Sequence, residues 1–191
     1  MSLELSASIE CERLLLRVVE ESDIPDLLHV NGDDEVTRLL PYPTWHSAAD
    51  GKAWFDRMCV LRAGGTALQF VIVERTSGHV TGTCLLFHYE EASARAEIGY
   101  ALGRAQWGKG IMREALSALI TYAFDAYSLR RLEAEVDPQN LPSNRLLSKL
   151  GFTNEGLLRQ RWAAKGRRYD TNFYGLLREE WPVIKRAAVR E

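Results

Sequence analysis

Cysteine is scarce in this chain: Cys11, Cys59 and Cys84 are odd in number and far apart. That excludes a disulfide framework and leaves no metal-ligand spacing, so reduced thiols, buried or half-buried, are expected. The four histidines, His29, His46, His79 and His88, show no pairing at metal or triad spacing, and no metal is expected. No apolar run approaches the roughly 18 residues of a membrane span. The opening Met1-Ser2-Leu3-Glu4 lacks the basic and apolar parts of a signal peptide, which makes a cytoplasmic location the expectation. Charge of neither sign dominates: a formal net charge of -2 gives no global sign of a nucleic-acid or membrane partner. No Gly-Lys-Ser/Thr string exists for a Walker loop, and Arg113 stands where a dinucleotide loop needs its third glycine.

What is present is an ordinary globular composition, 46% hydrophobic and 26% charged over 191 residues. It fits one domain spanning 1–191, with 1–10 and 179–191 as terminal extensions. Its centre is the stretch Gln106-Trp107-Gly108-Lys109-Gly110-Ile111-Met112. Upstream, Ala94, Ala96, Ile98, Tyr100 and Leu102 alternate with Arg95, Glu97 and Gly99, the period of a strand. Downstream, Met112, Leu116, Leu119, Ile120, Ala123 and Phe124 recur at helical spacing. A strand thus runs through a glycine-bracketed turn into a helix. Such a turn gathers free backbone N–H groups and the positive end of the helix dipole at one spot, which suits a phosphate. A plain strand-to-helix connection is the competing reading.

The remaining chain reads as follows. Residues 11 to 19 form a first strand, and Ser22 or Asp23 caps a helix with Pro25 in its first turn, ended or interrupted at 31–34. Pro41-Tyr42-Pro43-Thr44-Trp45 must be a loop, and Ser47 opens a second helix that ends at Gly64-Gly65. Strands over 68–74, 80–89 and 94–102 have short connections and imply an antiparallel meander. After the central helix come a strand over 130–136, a helix over 140–150 stopped by Gly151, and a hairpin of 157–163 with 169–177 turning at Lys165-Gly166. A last helix is expected over 179–189. The class is α/β, with a sheet of mixed direction.

That order, with the glycine turn after the fourth strand, resembles the GNAT superfamily of acyl-CoA-dependent N-acyltransferases. Five strings in the right order narrow the likeness to its RimJ/RimL branch: Arg13-Leu14-Leu15-Leu16-Arg17 with Asp23; Asp34-Glu35-Val36-Thr37-Arg38 with Leu40-Pro41; Glu97-Ile98-Gly99-Tyr100; Trp107 to Met112; and Asn140, Ser143-Asn144 with Lys149-Leu150-Gly151-Phe152. The resemblance covers about residues 11 to 178 and implies a GNAT fold, with a mostly antiparallel central sheet of about seven strands flanked by helices. It implies acetyl-CoA as co-substrate, lying in a V-shaped gap between the strands at 94–102 and 130–136. Its pantetheine would meet the backbone near Tyr100, Ala101 and Leu102, and its pyrophosphate the amides of Trp107, Gly108, Lys109, Gly110, Ile111 and Met112. Asn140 and Asn144 would hold the pantetheine arm or the helix it touches. One place departs: Ala105 stands where the wider superfamily often has Gln or Arg.

Acetyl transfer to an amine needs a neutral amine, a stabilised carbonyl oxygen and a departing thiolate. Glu97 alternates away from Ala96, Ile98 and Tyr100, so it can face the acceptor and take the amine's proton. The competing reading pairs it with Arg95 or Arg131 on a solvated face. Ser143 matches a serine proposed as the acid in RimL-like enzymes, against a role in capping or in bonding backbone. In RimL-type enzymes a second glutamate lies on the sixth strand; spacing puts Trp162 there, which argues against the ribosomal substrate of RimL. Asn140 can also serve as an N-cap. Lys109, Arg104, Arg113 and Arg145 are candidates for the CoA phosphates. Arg159, Arg161, Lys165, Arg167 and Arg168 form a basic hairpin, either a solvated face or a surface that steers an acidic partner. Tyr42 and Trp45 are candidate acceptor contacts, because a proline-restricted loop presents their rings at little entropic cost; the alternative packs Trp45 on the second helix.

The expected activity is direct transfer from acetyl-CoA to a protein N-terminal amine or a small amine, by a monomer or homodimer. The alternative from another class is a non-catalytic acyl-CoA-binding module. Release of CoA from acetyl-CoA with a panel of amines separates the two.

Overall fold

The computed structural model of the chain describes Leu3 and residues 8 to 181. The helix expected over 179–189 lies almost wholly outside the described residues. In chain order the elements are β1 (Ile9–Glu10), β2 (Leu14–Val18), α1 (Ile24–Asn31), α2 (Asp34–Thr37), α3 (Ala48–Ala63), β3 (Leu68–Glu74), β4 (Val80–Glu90), β5 (Arg95–Leu102), α4 (Ile111–Ala126), β6 (Arg131–Val136), α5 (Leu141–Lys149), β7 (Thr153–Ala164) and β8 (Arg167–Leu177). They build one eight-stranded sheet in the order β1-β2-β3-β4-β5-β6-β8-β7. β5 and β6 pair in parallel and the other neighbours are antiparallel.

The fold is the one the resemblance implies, with two additions. The first strand is shorter than 11–19, because the Cys11 N–H donates to the Leu14 carbonyl at 3.0 Å and turns the chain. Ile9–Glu10 then returns along β2 as an eighth strand, within the stretch expected to be an extension. The second addition is α2. Asp33 accepts the Glu35 N–H, and that cap starts one extra turn before the Pro41 loop.

Two apolar layers flank the sheet. On one side α4 buries Ile111, Met112, Ala115, Leu116, Leu119, Ile120, Ala123 and Phe124 against Leu14, Leu16, Phe70, Ile72, Leu86 and Ile98. Burying each Leu or Ile there stabilises the fold by about 1.5–3 kcal/mol. On the other side α1 and α3 cover Val71 and Val80. Trp45 belongs to this second layer. It is 6% exposed, and its ring lies 5.5 Å from that of Trp54. A Cβ added to Gly51 of α3 would meet the Trp45 ring at 3.0 Å, so the two surfaces are in direct contact. The loop is further tied by the Trp45 N–H to the Asn31 carbonyl and by the Tyr42 hydroxyl to Asn31 Oδ1, both at 3.0 Å. Trp45→Ala is therefore expected to cost about 3–5 kcal/mol and lower Tm by about 10 °C. Thermal denaturation followed by circular dichroism checks this.

Candidate active site

The site begins where β5 and β6 part. Their parallel pairing covers Arg95 to Glu97 against Arg131 to Glu133 and stops there. β5 runs on to Leu102 and β6 to Val136, so a gap opens between them from Glu97 onward. A cavity of ≈ 660 Å³ occupies this gap and the face of the sheet beside it. Register explains its floor. Gln69 pairs with Leu85, Leu85 with Gly99, Thr83 with Ala101 and Phe87 with Glu97, so these side chains share one face. All of them line the cavity, while Ala96 of the same strand is buried in the core under α4.

At one end of the gap stands the glycine turn. Gly108 and Gly110 have φ of 73° and 75°, and Gly110 is the N-cap of α4. Only glycine adopts this backbone freely. A Cβ on Gly108 would meet no atom within 4 Å, so the turn is open outward. The amides of the first turn of α4 have no intrahelical acceptors and point into this opening. Arg13 braces the turn: it donates to the Lys109 carbonyl at 3.1 Å and pairs with Glu114 at 2.7 Å. Gly108, Gly110, Ile111, Met112, Arg113 and the half-exposed Trp107 line the cavity. The Trp107 indole donates to the Leu102 carbonyl at 2.8 Å, which ties the turn to β5. Lys109 is bonded to Gln106 and Arg104 to Asp33, and Arg145 lies exposed on α5. Glycines at left-handed φ, free helix amides and a long adjoining strand edge fit the diphosphate and extended arm of acyl-CoA.

Deeper in the gap, the Tyr100 hydroxyl and Ser143 Oγ lie 2.6 Å apart. Ser143 is buried, and burial pushes the Tyr100 phenol pKa up, so both groups remain protonated hydroxyls. Asn140 caps α5 by accepting the Ser143 N–H at 3.2 Å and thereby orients Ser143. Asn144 does not line the cavity. Its Nδ2 donates to the Asp137 and Asn140 carbonyls, and its Oδ1 accepts from Asn172 and Tyr174. With donors and acceptor engaged, it holds the helix rather than a ligand.

Glu97 is buried but does not pair with Arg95 or Arg131. Those two arginines grip Glu133, at 2.8 Å each. Glu97 Oε2 instead meets His88 Nδ1 at 2.9 Å. Burial pushes the Glu97 carboxyl pKa up; the His88 hydrogen bond opposes this, and the nearby Glu135 and Glu133 add to it. Sequence spacing missed both His88 and Glu135. Glu135, on β6, also lines the cavity. It accepts from Arg161 at 3.0 Å and from the Trp162 indole at 2.7 Å, so a glutamate does stand beside the Trp162 position, supplied by β6 from across the intervening β8. The basic hairpin is correspondingly less free than its charge suggests: Arg161 is paired, and Lys165 donates to the Thr37 carbonyl at 2.6 Å. Tyr42 lines the cavity and Trp45 does not, so the pair expected to act together is split.

Cys84 lies 4.0 Å from Met112 at the start of α4, but it is buried and burial pushes its pKa up, which keeps it a thiol. Cys11 is half-buried and pushed up to about 11 by burial and Glu114. Cys59 is exposed, contrary to the expectation for all three. No metal-binding cluster and no helix long and apolar enough to cross a membrane occur among the described residues.

Residues 13–153 match the acetyltransferase (GNAT) domain model. The chain belongs to the GNAT acetyltransferase family. It is 39% identical over 170 residues to the uncharacterized N-acetyltransferase p20 of Bacillus licheniformis, covering 89% of this chain and 96% of that one. It is 30% identical over 118 residues to the [ribosomal protein uS5]-alanine N-acetyltransferase of Escherichia coli, 61% of each chain. Among solved structures, Mycobacterium smegmatis RimJ in complex with CoA-disulfide matches with a TM-score of 0.86 at 25% identity, covering 96% of this chain and 94% of that one. This GNAT protein is thus an acetyl-CoA-dependent N-acetyltransferase with RimJ/RimL-like relatives.

Proposed function

We propose that this acetyltransferase passes the acetyl group directly to the α-amine of a protein N-terminus, with Glu97 as the base. The observation that carries this reading is the buried Glu97 carboxylate at the point where β5 and β6 diverge, opening on the cavity. Acetyl-CoA supplies the acyl group and a thiol leaving group with an acidity near that of cysteine, about 8.5. Its pyrophosphate sits on the amides of Trp107 to Met112 and its pantetheine along Tyr100 to Leu102. Asn144 acts from behind, by fixing α5, while Asn140 both caps α5 and lines the cavity beside the pantetheine arm. Glu97 takes the proton of the incoming ammonium, and burial, by raising the carboxyl pKa, makes it a better acceptor. Backbone N–H groups on the β5 edge face the developing charge on the carbonyl oxygen. The hydrogen-bonded Tyr100 and Ser143 hydroxyls stand ready to protonate the departing sulfur. No cysteine lines the cavity, which supports direct transfer over an acyl-enzyme.

A peptide acceptor is supported by the shape of the mouth and by the relatives. The cavity reaches from Glu97 past Tyr42 and Trp54 to Tyr169 and Asp170. Tyr169 lines that end of the cavity, and its covered hydroxyl has no hydrogen-bond partner among the described residues. The related uS5-alanine N-acetyltransferase also modifies a protein. The test is CoA release with N-terminal peptides, amino acids, polyamines and aminoglycosides as acceptors. Peptides are expected to give the highest kcat/KM. Tyr42→Ala is expected to raise the KM for the preferred peptide several-fold and leave the KM for acetyl-CoA unmoved. Turnover confined to small amines overturns the peptide assignment.

A further inference from the structure

Amide formation from an ammonium and a thioester releases a proton that must leave a buried site. The acceptor nitrogen gives up two protons in all. One leaves before attack, so that the nitrogen lone pair can form the N–C bond. The other leaves as the C–S bond breaks and its electron pair goes to sulfur, which is protonated through the Tyr100 and Ser143 hydroxyls while that second proton replaces the one they give. The first therefore has to reach water from Glu97 once per turnover. With acetyl-CoA and the acceptor filling the cavity that Glu97 lines, its side chain, only 10% exposed even without them, has no direct path to water.

His88 spans this step. Its Nδ1 lies 2.9 Å from Glu97 Oε2, and its side chain is 62% exposed. One end of the ring touches the buried carboxylate and the rest opens on solvent. The backbone is shaped for this. The β4–β5 register breaks between Phe87 and Glu90, and His88 sits in that break at φ 49°, a left-handed conformation uncommon outside glycine. In a regular strand, His88 would alternate away from the face that Phe87 and Glu97 share. The break returns it toward Glu97, and the Phe87 ring packs against it with centroids 4.4 Å apart.

We propose that His88 is the proton exit of the acetyltransferase: neutral His88 takes the proton from Glu97 Oε2 at Nδ1, which restores the carboxylate, and the imidazolium so formed gives that Nδ1 proton to water as its exposed ring turns outward. The ring returns with Nδ1 unprotonated, in its starting tautomer, and no bond between heavy atoms of the protein changes. Imidazole is suited to the task because it takes and gives protons near neutral pH. The proposal rests on Glu97 as base. The other charged groups facing Glu97 are committed elsewhere: on β6, Glu133 is held by Arg95 and Arg131, and Glu135 is held by Arg161 from β7.

The decisive variant is His88→Asn. Asparagine tolerates left-handed backbone and can still donate to Glu97, but it cannot carry a proton. In weak buffer its kcat is expected to fall about tenfold, and added imidazole is expected to restore it. In His88→Ala the fall is also expected, and the acid limb of the pH–rate profile should move to higher pH, because the hydrogen bond that lowers the Glu97 pKa is gone. The KM for acetyl-CoA should stay put in both. If His88→Asn keeps the wild-type rate without imidazole dependence while Glu97→Gln is inactive, His88 only positions Glu97 and the relay is wrong. If Glu97→Gln itself keeps the wild-type rate, the base assignment fails and the relay with it.

Discussion

Glu97→Gln is expected to lower kcat by about 10²-fold or more while the affinity for CoA barely changes. The substitution keeps the shape and a hydrogen bond to His88 but removes the only function of the carboxylate that the reaction uses, its capacity to take a proton. The pH dependence separates this from a structural defect. Burial raises the Glu97 pKa, His88 opposes the rise, and Glu135 and Glu133 reinforce it. A base is active only when deprotonated, so the wild-type rate falls as pH drops through that raised pKa. In Glu97→Gln nothing titrates at that place and the acid limb should flatten. CoA affinity is insulated because the glycine turn lies at the other end of the gap. A fall of less than about threefold with the acid limb intact would assign Glu97 to structure.

The parts of this molecule that were legible in the sequence are those whose cause is local. Gly108 and Gly110 sit where the chain changes period from 2 to 3.6, and both take the left-handed φ that the turn requires. The cap at Ser47, the stop at Gly64 and the Asn140 cap of α5 were equally readable, because each depends on residues within one turn. What escaped depends on partners distant in sequence or on breaks in periodicity. Strand alternation predicts which face Glu97 takes, but not that an irregularity at His88 re-aims a ring onto it. Glu133 and Glu135 follow the same alternation along β6, yet one is held by arginines of β5 and β6 and the other by Arg161 and Trp162 of the hairpin. A two-residue strand such as β1 carries no period at all. Tyr42 and Trp45 share one stiff loop, and only the packing of Gly51 under the indole decides that Trp45 belongs to the core.

Gly110→Asp is expected to raise the Kd for CoA at least about 100-fold, a loss of about 2.7 kcal/mol, in a protein that remains folded. The fold should tolerate it for three reasons. Aspartate accepts left-handed backbone better than most residues, and Gly110 has φ 75°. The nearest atom to an added Cβ is Arg13 Nη2, at 3.6 Å, so the new carboxylate lies beside a guanidinium. A negative charge at the N-terminus of α4 is also favourable to the helix. Those same features make the variant fatal for binding, because its carboxylate takes the amides and dipole that the pyrophosphate would use, and repels it. Gly110→Asn separates charge from shape: it keeps the backbone and the bulk without the charge, and an intermediate Kd is expected. Calorimetric titration with CoA, on samples whose Tm shows them folded, reads both. Wild-type affinity in folded Gly110→Asp would remove the diphosphate from this turn and place it elsewhere along the gap.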